Sequence, residues 1–214
     1  TGVGWSTKLV KANDYNDIIC VASALSNVVI KDLQIDGNKA NITREFNKHL
    51  IAFRGSSGAE ITNSAVINCY LHDNWGSGIF AKYVTESTIS GNLISDCEYS
   101  GVQFYSSFRN TVTNNKFLND EHGLYLDHYS GENLVVGCVF ESCEDEGIRV
   151  CSSDANLIVG CRLEANMNGI YIDDSADTVV VGCLLIENTV NDCCVLSTSG
   201  RTYLVGNRLS TIYD

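Results

Sequence analysis

Asp127, Arg149 and Asp173 follow one another at steps of 22 and 24 residues, and Tyr105, Tyr125 and Tyr171 fall in the same rhythm. If each step is one turn of a stacked parallel structure, the backbones of the two aspartates stand about 9.6 Å apart, twice the strand spacing. Carboxylates roughly 6.5–9.5 Å apart suit inverting glycoside hydrolysis, in which one acid protonates the leaving oxygen and the other activates water. A lyase or epimerase chemistry would instead use Arg149, Tyr125 or His128 for proton transfer, with the acids binding Ca²⁺ or a uronate. Tyr105, Tyr125 and Tyr171 would offer rings to the apolar faces of sugars, with Lys82 and Asp174 at their hydroxyls.

Plainer roles compete for the same residues. Asp and Asn abound in turns because they satisfy local backbone N–H groups, so Asp173-Asp174-Ser175 also reads as a strand-end turn. His122 and His128 read as solvated turn histidines. Glu144-Asp145-Glu146 reads as a solvated turn, with Ca²⁺ binding as the alternative. No metal-ligand set with converging spacing is evident and no motif names a cofactor.

The elements that must position these residues come from a repeat. Gly78-Ile79-Phe80-Ala81, Gly101-Val102-Gln103-Phe104, Gly123-Leu124-Tyr125-Leu126, Gly147-Ile148-Arg149-Val150 and Gly169-Ile170-Tyr171-Ile172 recur, with Asp192-Cys193-Cys194-Val195 after them and His49-Leu50-Ile51-Ala52 before. A second column is Cys69, Asn92, Asn115, Cys138, Cys161, Cys183 and Asn207, with an aliphatic three residues earlier and a large apolar residue two later. Units this short, holding only strand-like runs between Gly, Asn, Asp and Ser turns, cannot be helical repeats, which need longer runs at a 3.6-residue period. They must coil, each strand pairing with its equivalent one turn on. The expected fold is all-β: a single-stranded right-handed parallel β-helix of about 8 coils of about 23 residues. It would form one domain over residues 1–214, as a fragment lacking terminal caps or with ends that stack on a partner.

Alternation along the Gly-led strand predicts two outward columns: Ile51, Phe80, Gln103, Tyr125, Arg149, Tyr171 and Cys194, then Phe53, Lys82, Tyr105, Asp127, Cys151, Asp173 and Leu196. The insertion from Asn38 to Lys48, carrying Lys39, Arg44, Glu45, Phe46 and Lys48, either walls a groove on this face or covers an end of the core.

The chain has ten cysteines and no proline. Absence of proline suits a backbone whose N–H groups are committed to ladders. A further turn column, Asn74, Cys97, Asp120, Cys143, Asn166 and Asn188, alternates Cys with Asn, so most cysteines read as small buried free thiols. Parallel-stacked Cβ atoms stand too far apart for an unstrained disulfide, and adjacent Cys193-Cys194 make a poor chelate. A formal charge of −12, from 26 acidic and 14 basic residues, disfavours nucleic acid and anionic membranes. No 18-residue apolar run predicts a membrane span.

Gly2-Val3-Gly4-Trp5-Ser6-Thr7, followed by Ser26-Asn27-Val28-Val29-Ile30-Lys31-Asp32-Leu33-Gln34-Ile35-Asp36-Gly37-Asn38, resembles the early coils of the pectate-lyase-like superfamily. Thr88-Ile89-Ser90-Gly91-Asn92 with Ser100-Gly101-Val102 resembles its repeat. The resemblance implies a right-handed parallel β-helix and a groove along one outward sheet face. Its members include polysaccharide lyases, polygalacturonases, uronan epimerases, phage tailspikes and non-catalytic surface proteins. Asp173-Asp174 resembles the paired aspartates of polygalacturonases, but their Asn-Thr-Asp, Gly-His-Gly and Arg-Ile-Lys elements are missing, and Glu121-His122-Gly123 precedes the pair. Tyr125-Leu126-Asp127-His128 resembles the Tyr-Gly-x-Asp-x-His motif of mannuronan epimerases with different spacing to the histidine. The pectate lyase arginine contexts are absent.

Two function classes follow. One is an extracellular carbohydrate-binding or polysaccharide-processing module with a polysaccharide partner. The other is a non-catalytic structural or adhesive solenoid of a cell or virion surface, open to end-to-end or trimeric self-association.

Overall fold

A computed structural model describes residues 7–12, 16–22, 24–44, 47–196 and 199–210. The chain winds as a right-handed solenoid in which nearly all strands pair in parallel with their counterparts one coil away. Sheet one has eight strands: Ile19–Ala22, Ile51–Arg54, Ile79–Lys82, Ser100–Tyr105, His122–Asp127, Glu146–Cys151, Asn168–Asp173 and Asn191–Val195. Sheet two also has eight, running from Val29–Lys31 through Thr111–Thr113 to Thr202–Val205. Sheet three has nine, including Lys116–Leu118 and Val139–Glu141. Of the early stretch quoted for the superfamily resemblance, Gly2 to Ser6 lie outside the described residues.

The corner between sheets two and three explains why Gly and Asn recur there. Asn68, Gly91, Asn114, Gly137, Gly160, Gly182 and Gly206, each just before the Asn/Cys column, take φ values of +50 to +65°. That left-handed conformation is open to Gly at no steric cost and to Asn at a small one, and one such residue turns the chain sharply. Gly123 answers a different need. A Cβ there would meet Phe140 Cδ1 at 2.5 Å and the Gly147 carbonyl at 2.6 Å, so only glycine lets adjacent coils close up at the head of sheet one.

Inside the coil, alternate residues form one continuous apolar core, with Val102, Leu124, Ile148 and Ile170 stacked in sheet one and Phe117 on Phe140 in sheet three, ring centroids 4.7 Å apart. Buried turns are satisfied along the axis. Asn92 N–H and Nδ2 both donate to Asn115 Oδ1 at 2.9 Å, and Cys143 and Asn166 donate their N–H groups to Asn166 and Asn188 Oδ1. Two further columns escape a reading built on cysteine and glycine. Ser64, Ser87, Asn110, Asn133 and Asn156 form one, and Ser107, Ser130, Ser153 and Ser175 another. Each supplies a side-chain oxygen to a backbone N–H one coil back, where the sheet ladder is interrupted.

All ten cysteines are free thiols. Cys69, Cys97, Cys138, Cys143, Cys161 and Cys183 are buried, the four in the corner column donating to backbone carbonyls two residues back.

The expected register of one coil is overturned. Ile51 pairs with Ile79 and Phe53 with Ala81, so both point inward and are buried; Ala52 and Arg54 hold the outward positions. The inserted residues before this coil hide its register, and a slip of one residue exchanges the two faces.

Candidate functional site

The outward side of sheet one carries two adjoining rows: Ala52, Phe80, Gln103, Tyr125, Arg149, Tyr171 and Cys194, then Arg54, Lys82, Tyr105, Asp127, Cys151 and Asp173. Arg149 sits between two rings, its guanidinium carbon 5.2 Å from the Tyr125 centroid and 5.7 Å from that of Tyr171. Its Nε donates to Cys151 Sγ at 3.4 Å, and its Nη1 lies 3.7 Å from Glu146 Oε2. Stacking on aromatic faces while keeping a planar fork of donors is a property of arginine that lysine lacks.

Tyr125 and Leu126 pair with Arg149 and Val150, and Cys151 pairs with Asp173. Asp127 and Asp173 therefore flank Cys151 on the same row, about 9.6 Å apart at the backbone. Asp127 is largely buried and accepts from His128 Nδ1 at 2.8 Å; the His128 ring stacks on Tyr105 with centroids 4.3 Å apart. Lys82 Nζ lies 5.2 Å over the same Tyr105 ring. Asp174 stands apart from this row: one residue beyond the strand, at φ +46°, it accepts from Ser152 Oγ at 3.1 Å and lines a depression with Tyr129, Asp154 and Ala176.

Burial pushes the Tyr125 hydroxyl up, and Asp127 and Cys151 add to the shift against Arg149. Burial likewise raises the Cys151 thiol despite Arg149, with Asp173 and Asp127 reinforcing it. Cys151 is thus not an activated thiolate nucleophile.

Several residues of this face escaped the sequence reading. His122, expected as a solvated turn residue, is only 3% exposed, and Glu146, expected in a solvated turn, is 7% exposed. His122 Nδ1 and Glu146 Oε2 face each other at 2.9 Å. Burial pushes the Glu146 carboxyl up, but the close approach of His122 and the charges of His122 and Arg149 outweigh it and hold the group below the ordinary value. Glu146 Oε1 receives Asn168 Nδ2 at 3.5 Å, and Asn168 Oδ1 receives Asn191 Nδ2 at 2.9 Å. Tyr99 closes over His122 and Tyr125, with centroids 6.3 and 6.5 Å away. The available signal was a third column, Ser100, His122, Glu146, Asn168 and Asn191, set just before or beside the glycine column and polar throughout.

At the other end of the face, a depression is lined by Asn47, His49, Arg54, Phe80, Tyr99 and Gln103. His49 stacks on Phe80 at 4.6 Å, and Arg54 grips Asp17 through Nε at 2.8 Å and lies 5.4 Å over Phe80. Burial pulls the His49 imidazole down to about 3, with Asp17 opposing, so it is neutral at physiological pH. The insertion packs beside this end. Trp75 Nε1 donates to the carbonyls of Lys39 and Ile42, Lys39 pairs with Glu98 at 2.7 Å, and the Arg44 guanidinium lies 5.5 Å over Trp75. It borders one edge of the face; Glu45 and Phe46 lie outside the described residues.

With this geometry in place, the chain matches the family described as "Right handed beta helix region" over residues 18–130 and, overlapping, 49–209. Among solved structures, the periplasmic alginate epimerase AlgG is 19% identical, with 89% of this chain and 49% of that one covered, at a TM-score of 0.67. The A-module of the Azotobacter vinelandii mannuronan C-5 epimerase AlgE6 is 17% identical over 94% of this chain and 70% of that one, TM-score 0.67. Tailspike protein 2 of Escherichia coli bacteriophage CAB120 is 17% identical over 79% of this chain and 27% of that one, TM-score 0.60. The chain spans about half the length of AlgG. At these identities the likeness is one of fold. No curated protein sequence matches the chain.

Proposed function

The chain belongs to the right-handed β-helix family, and from that premise we propose that it binds an extended polysaccharide along the outward face of sheet one. The observation that carries this reading is Arg149 held between the faces of Tyr125 and Tyr171. Two rings and a fixed guanidinium, spaced by the coil repeat, offer apolar contact and directed donors to successive sugars of a linear chain. Tyr105, with Lys82 and His128 against its ring, extends the platform along the next row. Asp174 would contribute from the edge. The structural neighbours support the class: two are named as epimerases of alginate or mannuronan.

Within that reading, Asp127 and Asp173 are the pair for acid–base work on the bound glycan, with His128 orienting Asp127 and Arg149 beside both. A polysaccharide-degradation and glycan-binding screen, with and without Ca²⁺, tests it. Asp127→Asn and Asp173→Asn are expected to abolish depolymerisation while shifting Tm by little; full activity in both variants removes the catalytic assignment and leaves binding.

The second reading, a non-catalytic structural or adhesive solenoid, draws on the depressions lying toward the margins of the face and not over its centre. It carries the corollary of end-to-end or trimeric self-association, which sedimentation would detect. A place outside the cytoplasm, at a cell or virion surface, fits both readings, given a periplasmic enzyme and a tailspike among the neighbours. No described helix is long and apolar enough to cross a membrane.

A further inference from the structure

Where the strands of sheet one begin, a second cluster lies beside the aromatic face and takes no part in the proposed sugar contacts. Glu121, His122 and Asp145 each offer one ligand atom, and these atoms all lie within 4.8 Å of one another. They are carried on paired backbone: Glu121 N–H donates to Cys97 O at 3.0 Å, His122 N–H to Tyr99 O at 3.2 Å, and Asp145 N–H to Glu121 O at 2.9 Å. Charge accumulates there. Glu144 and Glu98 stand close to Glu121 as well.

The independent observation is the state of His122 itself. The side chain is nearly fully buried, and its Nδ1 faces Glu146, a residue outside the trio that is anchored by Asn168 and lies close to Arg149. Although 2.9 Å apart, His122 Nδ1 and Glu146 Oε2 are both buried atoms that make no hydrogen bond among the described residues, and buried polar atoms left unsatisfied in this way call for a further partner. This unsatisfied imidazole adjoins the Glu121 and Asp145 carboxylates, the surroundings that a divalent cation takes.

We propose that Glu121, His122 and Asp145 form a binding site for a borderline divalent cation, Mn²⁺ or Zn²⁺, with Glu146 as the positioning carboxylate. One imidazole nitrogen and two carboxylates suit these ions. The set lacks the six or more oxygens that Ca²⁺ takes and the octahedral oxygen shell that Mg²⁺ prefers. Three protein ligands leave coordination positions open, as in sites that also hold water or a ligand. The His122 ring centroid is 5.4 Å from that of Tyr125, so an ion here adjoins the aromatic face. Only this last consequence, an ion that touches the glycan, rests on the glycan reading; the binding site itself does not.

The test is calorimetric titration of chelator-treated protein with Mn²⁺ and with Zn²⁺, with electron paramagnetic resonance counting bound Mn²⁺. Wild type is expected to bind about one ion, and Glu121→Gln, Asp145→Asn and His122→Ala each to weaken it at least ~10-fold, the order seen when a metal's surroundings are altered. Asp145 lies in a turn and is half-exposed, so Asp145→Asn is expected to keep the wild-type Tm and guards against a folding artefact in His122→Ala. Asp173→Asn is expected to bind as wild type does. Absence of saturable binding in wild type, undiminished binding in the folded Asp145→Asn and Glu121→Gln variants, or a preference for Ca²⁺ overturns the proposal. Glycan retention measured in chelator keeps the two readings separate. Retention without any metal binding removes the cation site alone, and metal binding without glycan retention removes the glycan face alone while leaving the cation site intact.

Discussion

Sheets one and two are built alike and enclose the same core, yet their outer surfaces differ. The outward rows of sheet two run Val29, Ala65, Thr88, Thr111, Leu134, Leu157, Val179 and Tyr203, then Lys31, Ile67, Ser90, Thr113, Val136, Val159, Val181 and Val205. Short aliphatic and hydroxyl side chains fill them, and Lys31 is the sole charge. The outward rows of sheet one hold Tyr105, Tyr125, Tyr171, Arg54, Arg149, Asp127 and Asp173, engaged in stacking and ion pairs. A parallel ladder asks of an outward residue only that it tolerate a pleated surface, which β-branched residues do well. Sheet two meets that demand and goes no further. The departure on sheet one is therefore the part of the surface that folding does not explain.

The two faces share one interior, and the largest expected effect comes from damaging it. Phe140→Ala removes a fully buried ring stacked on Phe117 and is expected to cost about 3–5 kcal/mol in denaturant unfolding. A loss below about 1 kcal/mol would mean that the stacked interior does not govern both faces. Next, Tyr125→Ala takes away one of the rings holding Arg149 and is expected to weaken polysaccharide retention about 5- to 10-fold in affinity electrophoresis, the worth of a cation–π contact and its stacking. Tyr203→Ala, on sheet two, is expected to leave retention unchanged; equal losses would erase the distinction between the faces.

A smaller effect lies beneath sheet one. Asp120 occupies an interior position held elsewhere by Asn166 and Asn188, and burial holds its carboxyl well above the ordinary value. A carboxyl raised in the folded state contributes stability while protonated and loses it as pH rises through its folded value. Asp120→Asn is therefore expected to stabilise the protein by about 1 kcal/mol or more near pH 8, with a gain that shrinks toward pH 4. Melting curves across that range check the sign, and a gain that grows on acidification would contradict it. Smallest is Lys116→Ala, which breaks an exposed pair with Glu141 at 3.0 Å on sheet three; it is expected to change stability by less than about 1 kcal/mol.

The solenoid was legible because stacking forces equivalent residues to recur. Each coil must return a small residue to the tight corner and an apolar one to the interior, so Val112, Asn115 and Phe117 reappear as Val135, Cys138 and Phe140. The period, the strand-only coils, the buried thiols and most of the outward rows follow from that constraint. It failed at Ile51 and Phe53, where the Asn38–Lys48 insertion broke the count and a one-residue slip exchanged inside for outside.

The sequence by itself thus determined the coil, its interior and the rows on which Tyr125, Arg149 and Asp173 stand. The tertiary structure decided what those rows do with one another: Arg149 between two rings, His128 on Tyr105, and His122 buried against Glu146 beside Glu121 and Asp145. Repetition specifies which residues stack, because backbone pairing fixes their spacing. It does not specify how long side chains at neighbouring columns reach sideways, since charge, ring faces and burial set that only once the coils have brought them together.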